Sequence, residues 1–215
     1  MRVVGVDPGN SGGICLLQDP GEVKVWRTPF VLHKDRYAKP VIDLEAAGEI
    51  YLHLSRDGGT DKLPVWIEAS QIRMKTASRK TISGIWWYAG ALDAMFRFWG
   101  CEVEYVQAKQ WQAAILDPFL QQQRLDRPKS HEEWKEISVD FVRYDAEKPE
   151  GVLFPPTRTG RVTEVPHDGT ADAYCIARFG QMVALGGIHY HRDWVFSPTK
   201  AKRIRRSKTK EAEEE

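Results

Sequence analysis

At 215 residues the chain has the length of one ordinary domain with some decoration. Its 42% hydrophobic content can bury a sizeable core, 28% charged residues is typical of a soluble protein, and a net charge of +1 excludes nothing by itself. The three cysteines (Cys15, Cys101, Cys175) are far apart and form no CxxC pair, which argues against a disulfide framework or a structural zinc site and fits a reducing compartment. The opening MRVVGVDPG reaches an acid at Asp7 without a long apolar run, unlike a signal peptide. No stretch approaches the roughly 18 apolar residues that span a bilayer, so an intracellular, soluble protein is expected.

In chain order, Arg2–Val6 is an apolar run ending at Asp7, followed by a Pro-Gly-Asn-Ser-Gly-Gly turn. Gly13–Leu17 returns, Pro20-Gly21 turns again, and Glu22–Thr28 reads as a third strand, so the start is predicted to be an antiparallel meander. Val41, Leu44, Ala47, Ile50, Tyr51 and Leu54 follow a helical period over 41–55. Leu63–Glu68 is a short apolar strand ending on a carboxylate. Thr81–Trp99 reads as a helix stopped by Gly100, and Glu102–Val106 as a fifth strand. Ala108–Leu116 and His131–Tyr144 read as helices, the proline-rich stretch 145–166 as a long loop, and a last helix starts near Asp168 and runs to about Leu185. This order of elements predicts an α/β fold, one mixed sheet flanked by helices. Residues 1–190 are expected to form the domain. Residues 191–215 form a charged tail, basic over Lys200–Lys210 and acidic over Glu211–Glu215, that is expected to be disordered.

Four acids occupy element ends. Asp7 ends the first strand, Glu68 ends the fourth, and Asp168 and Asp172 lie one helical turn apart at the start of the last helix. Meeting at one sheet edge, they would concentrate negative charge, and neighbouring carboxylates raise one another's pKa. A divalent cation relieves that repulsion. Mg²⁺ prefers a few carboxylate oxygens, retained waters and phosphate oxygens, and two such ions can activate water and stabilise a leaving oxygen in phosphodiester cleavage. Taken singly, each acid also has a structural reading: Asp7 as a turn residue, Glu68 as a partner of Arg73 or Lys75, Asp168 as a helix cap, Asp172 as a complement to the helix dipole. The four in this order favour a site. His167 adjoins them as a candidate ligand, phosphate contact or general acid/base.

These residues carry a resemblance. VVGVDPGNSGG resembles the start of RuvC-type resolvases, whose first strand ends in an Asp-Pro-Gly turn. VWIEASQIRMKTASRKTISGIWWYAGAL resembles the block in which a strand ends in the catalytic Glu and a basic loop leads into a helix with a Gly-Ala segment. VEYVQAKQWQAAIL is similar to the following strand and short helix, and HDGTADAYCIA to the closing helix with its paired acid. The blocks run in order from about residue 2 to residue 184. The resemblance implies an RNase H-like fold (a mixed five-stranded sheet with helices on both faces), a homodimer, Mg²⁺ dependence with Mn²⁺ as substitute, and symmetric nicking of four-way (Holliday) junctions in a bacterial or phage-infected cytoplasm. Asp7, Glu68 and Asp172 match the family's acids. The penultimate bacterial ligand lies three residues before the last Asp, a position held here by Gly169, so Asp168 and His167 both stand as candidates for the fourth ligand.

Arg73, Lys75, Arg79 and Lys80 follow Glu68 directly, and Lys109 follows the fifth strand. Cations beside a carboxylate site suit a phosphate backbone, and these five are the candidate DNA contacts. The helix over 81–99 is apolar on two sides: Ile82, Ile85, Trp86, Ala89, Leu92, Phe96 and Trp99 form one stripe, and Trp87, Ala91, Met95 and Phe98 another. Two apolar sides need two burial partners, the sheet and a second subunit. Competing readings are another RNase H-like nuclease acting on RNA–DNA hybrid or structured RNA, an actin-like ATPase, and a non-catalytic junction binder. The ATPase lacks its second Gly-rich loop here, and a pure binder gains nothing from clustered acids near phosphate.

Overall fold

The computed structural model describes residues 1–9, 11–18, 21–31, 41–56, 58–69, 79–156, 164–188 and 190. β1 (Arg2–Asp7) pairs antiparallel with β2 (Gly13–Gln18), and β2 with β3 (Glu22–Arg27), so the predicted meander is present. β4 (Phe30–Val31) and β5 (Val41–Ile42) form a separate two-stranded ribbon ahead of α1 (Leu44–Arg56). β6 (Pro64–Ala69) adds parallel to β1. After α2 (Arg79–Phe98), β7 (Glu102–Gln107) adds parallel to β6. The five-stranded sheet has the order β3-β2-β1-β6-β7, the mixed α/β arrangement expected from the sequence.

Helices cover both faces, and strand alternation decides which residues meet which helix. Val4, Val6, Ile14, Leu16, Val65 and Ile67 pack with Ile50 and Leu54 of α1 and with Leu92 and Phe96 of α2. On the opposite face Val3, Cys15, Leu17, Trp66 and Val106 pack against α7 (Asp168–Ala184), with α5 (His131–Asp145) outside it. At the end of α2, Gly100 takes φ +84°, with Gly100 N–H bonded to the Arg97 carbonyl and Cys101 N–H to that of Phe96. This is the double hydrogen-bonded stop that glycine permits.

The sequence expectation fails at three places. The helix predicted over 41–55 begins only at Leu44, because the Asp43 carboxylate accepts from the Glu45 and Ala46 N–H groups and caps it there. Leu44 is accordingly 81% exposed, and Ala47, Ile50 and Leu54 make the buried stripe. The single helix expected over 108–116 is α3 (Ala108–Trp111), a π-helical stretch Gln112–Leu116, then α4 (Asp117–Gln123). The wider π turn keeps Trp111, Ile115, Leu116, Phe119 and Leu120 together in the core. The loop expected over 145–166 contains α6 (Pro149–Leu153), opened by a proline that suits a first helical turn and anchored by buried Val152 and Leu153. The tail from 191 onward lies outside the described residues.

Candidate active site

The site is built from the sheet outward. Val6 pairs with Ile67 in the parallel β1–β6 register, so Asp7 and Glu68 are the next residues along two adjacent strands, at the same edge. Val4, Val6, Val65 and Ile67 face α1 and α2, so Asp7 and Glu68, one step on, face the opposite side, toward α7. The carboxyl ends of neighbouring parallel strands are where α/β folds place their ligands.

Small residues bring α7 to that edge. A Cβ on Gly5 would overlap the backbone of Ala173 and Ala177, and one on Gly13 the backbone of Gly169 and Thr170. Gly12 and Gly169 approach closely enough to form an isolated parallel bridge between the turn after β1 and the first turn of α7. This contact puts Asp172, one turn into the helix, beside the two strand-end acids.

Each of Asp7, Glu68 and Asp172 is half-buried. Burial raises the Asp7 pKa to about 6; the Gly9 N–H, 3.2 Å from Oδ1, works against the rise, and the Asp168 charge adds to it. Burial and then the Asp7 charge lift Glu68 to about 8, opposed by the Trp111 indole N–H at 2.9 Å. Asp172 is pushed well above the ordinary range by burial first and by Asp7 next, and the buried Ser138 hydroxyl of α5 favours its ionised form. Three carboxylates from β1, β6 and α7 therefore share one electrostatic neighbourhood and are costly to ionise together.

Asp168 behaves differently. Burial disfavours its charge, but Lys135 of α5, at 2.7 Å, and the Gly169 N–H, at 2.9 Å, outweigh burial and hold it below the usual carboxylate range. α5 is fixed against α7 by Asp145, which accepts from the Tyr174 hydroxyl at 2.8 Å and pairs with Arg178 at 2.9 Å.

His167 is the helix cap, the role the sequence reading offered to Asp168. Its Nδ1 accepts from the Thr170 N–H at 3.1 Å, and its backbone N–H donates to the Leu153 carbonyl at 2.7 Å. Burial and the nearby Arg27 charge lower its pKa. A neutral ring whose Nδ1 accepts carries its proton on Nε2, and in that state it offers no lone pair to a cation.

Lys109 is exposed at the start of α3, past the end of β7 and so at the same sheet edge as the acids. Arg79 and Lys80 open α2. Arg73 and Lys75 lie outside the described residues, as do the Glu68 pairings considered with them. Sequence reading missed Lys135, Trp111 and Ser138. Trp111 and Ser138 carry no motif, and Lys135 is one of several charges along an amphipathic helix.

The donor set is hard oxygen throughout and its charge calls for a cation, which suits Mg²⁺ or Mn²⁺. Among the described residues no group of three or more His, Cys, Asp or Glu is drawn closely enough to hold an ion as it stands. The three acids are within repulsive range of one another, and Asp168 is turned to Lys135.

No protein-family model matches the chain, and no curated protein matches it. Solved structures do resemble it. Thermus thermophilus RuvC in complex with Holliday junction substrate is 18% identical, with a TM-score of 0.49, over 87% of this chain and 97% of that one. The Thermus thermophilus RuvC structure is 19% identical, with a TM-score of 0.46, over the same 87% and 97%. At these identities and TM-scores the likeness assigns no activity, and the chemistry rests on the carboxylates described above. No helix among the described residues is long and apolar enough to cross a membrane.

Proposed function

We propose that this chain is a metal-dependent, structure-selective DNA endonuclease that resolves four-way (Holliday) junctions by symmetric nicking. The observation that carries this reading is the convergence of Asp7, Glu68 and Asp172 from two strand ends and a helix at one sheet edge. The four sequence blocks that resemble RuvC-type resolvases direct it to junctions over other nucleic acids.

Asp7, Glu68 and Asp172 are the residues to hold Mg²⁺ or Mn²⁺, with Asp168 as the fourth. Bound there, divalent cations lower the pKa of water and stabilise negative charge on a phosphodiester undergoing in-line displacement. The chain's own residues prepare that site. Trp111 holds the Glu68 carboxylate by its indole N–H, the Gly9 N–H holds Asp7, and Ser138 favours the ionised Asp172. Lys109 supplies a cation for the phosphate backbone at the same edge, and Arg73, Lys75, Arg79 and Lys80, which follow Glu68 in the sequence, are the further phosphate contacts of this reading. Of the second stripe of α2, Met95 packs on the core and Phe98 is 89% exposed; Phe98 is the contact this reading gives to a second copy, which would set two sites about a two-fold axis for paired nicks.

The experiment is a nicking assay on a synthetic mobile junction with Mg²⁺, Mn²⁺ or chelator, run beside an RNA–DNA hybrid and a hairpin RNA. Cleavage of the junction only with a divalent ion is expected. Asp7→Asn and Asp172→Asn are expected to bind the junction and to cut it on the order of 10² to 10³-fold more slowly. Preferential cutting of the hybrid or the hairpin would reassign the substrate, and undiminished cutting by either variant would remove that residue from the site.

A further inference from the structure

Of the four acids proposed to hold the metal, Asp168 is the one that already has a counter-charge within the chain. Both its oxygens are engaged: Oδ2 with the Lys135 ammonium at 2.7 Å and Oδ1 with the Gly169 N–H at 2.9 Å. The ion pair is not a fully solvated surface contact, since the two side chains are 30% and 32% exposed. Lys135 is also close enough to Asp7 and Asp172 to interact with their charges. One face of α5 thus presents Lys135 to Asp168 and Ser138 to Asp172, one turn apart, while Asp145 locks the far end of the helix to α7.

We propose that Lys135 is a built-in counter-cation that competes with a divalent ion for Asp168, so that the metal-free protein stores part of the site's charge balance in its own ammonium group. Lys135 is then a positioning residue. An ion that recruits Asp168 must displace the ammonium, and the displaced ammonium is left at the site edge, where an incoming phosphate offers it a new partner. Like charges exclude one another from a shared ligand, so removing the lysine strengthens metal binding even though it removes a charged group from the edge proposed to face DNA. A lysine that served only to join α5 to α7 would give no such gain.

This inference rests on the metal-site reading above, and the test separates the two. Mn²⁺ is titrated into the full-length protein without DNA by calorimetry, for the parent, Lys135→Met, Lys135→Gln, Lys135→Arg, Asp168→Asn and Lys135→Met/Asp168→Asn. Circular dichroism checks that each variant folds. Lys135→Met and Lys135→Gln are expected to bind Mn²⁺ on the order of tenfold more tightly than the parent. Lys135→Arg is expected to match the parent, and the double variant to lose the gain because Asp168 is no longer an anionic ligand. If the parent binds Mn²⁺ and both Lys135→Met and Lys135→Gln bind it equally or less well, the competition is disproved while the metal site stands. If neither the parent nor any lysine variant binds Mn²⁺, the metal-site reading fails, and this inference fails with it.

Discussion

Trp111 reaches from α3 across to β6, and its indole N–H donates to Glu68 Oε2 at 2.9 Å. The ring is buried in the core on the α7 side of the sheet, so its position is fixed by packing and the hydrogen bond by the ring. Partners that orient a ligand commonly contribute 10 to 100-fold to metal affinity or activity. Trp111→Phe keeps an aromatic ring and deletes the donor. It is expected to lower Mn²⁺ affinity and junction nicking by roughly that 10 to 100-fold factor, with about 1–2 kcal/mol lost in denaturant unfolding. A variant that unfolds more easily but binds and cuts like the parent would reduce Trp111 to a packing residue.

Gly5 tests the placement of Asp172 from a distance. A methyl group there meets the backbone of α7, which has no flexible side chain to yield. Gly5→Ala is expected to cost about 1–3 kcal/mol by overpacking, and to impair nicking at temperatures where the variant is still folded, because relief comes by moving the helix that carries Asp172. Normal nicking by folded Gly5→Ala protein would show that the acids tolerate a shifted helix.

The raised carboxylates predict a pH dependence with a definite sign. Asp7 and Glu68 sit at about 6 and about 8, above their unfolded values, and Asp172 is raised as well. Through that window the folded chain holds protons that the unfolded chain releases, so stability of the metal-free protein falls as pH rises from about 4 to about 8. The depressed Asp168 works in the opposite sense at the acid end, where its stabilising charge is lost, and the lowered His167 opposes the slope up to its ordinary 6.5; the three raised acids outweigh both. Thermal unfolding in chelator is therefore expected a few degrees lower at pH 8 than at pH 5, with Mg²⁺ restoring more at pH 8 and Glu68→Gln flattening the slope. A midpoint that climbs between pH 5 and 8 in chelator would contradict the shared burial of these acids.

His167 is expected to matter as a cap. His167→Ala should destabilise the protein by about 1 kcal/mol, and His167→Asn, which can cap, by less. Mn²⁺ titration should give the parent affinity for folded His167→Asn. A marked loss there would return His167 to the list of ligands.

Much of this arrangement was legible in the sequence. Asp7 and Glu68 each close a short apolar run, which marks both as strand ends that can meet at one sheet edge; which face they take came from the packing of the helices, since both runs are apolar on either side. What could not be read was the partnership of Asp168. Its neighbours in sequence, His167 and Asp172, suggest a ligand, whereas its closest contact is with Lys135, brought in by the packing of α5 on α7 and marked by no local pattern. The capping role of His167 was hidden for a related reason: histidine is an uncommon cap, and its Nδ1 serves here only because the chain enters α7 extended. The early helix boundary at Val41 failed because a hydrophobic period cannot tell a helix turn from a two-residue strand that precedes it.

The π-helical stretch Gln112–Leu116 holds one residue more in its turn than α bonding would. Losing one residue there would restore ordinary helical bonding and leave the side chains beyond it near their present directions, so Phe119 and Leu120 would keep the core and Trp111 its aim at Glu68. The same loss inside a regular helix such as α5 would swing every following side chain by about 100° about the axis. The wide turn is thus the place on this side of the sheet where the chain can change length without disturbing either the hydrophobic interior or a carboxylate.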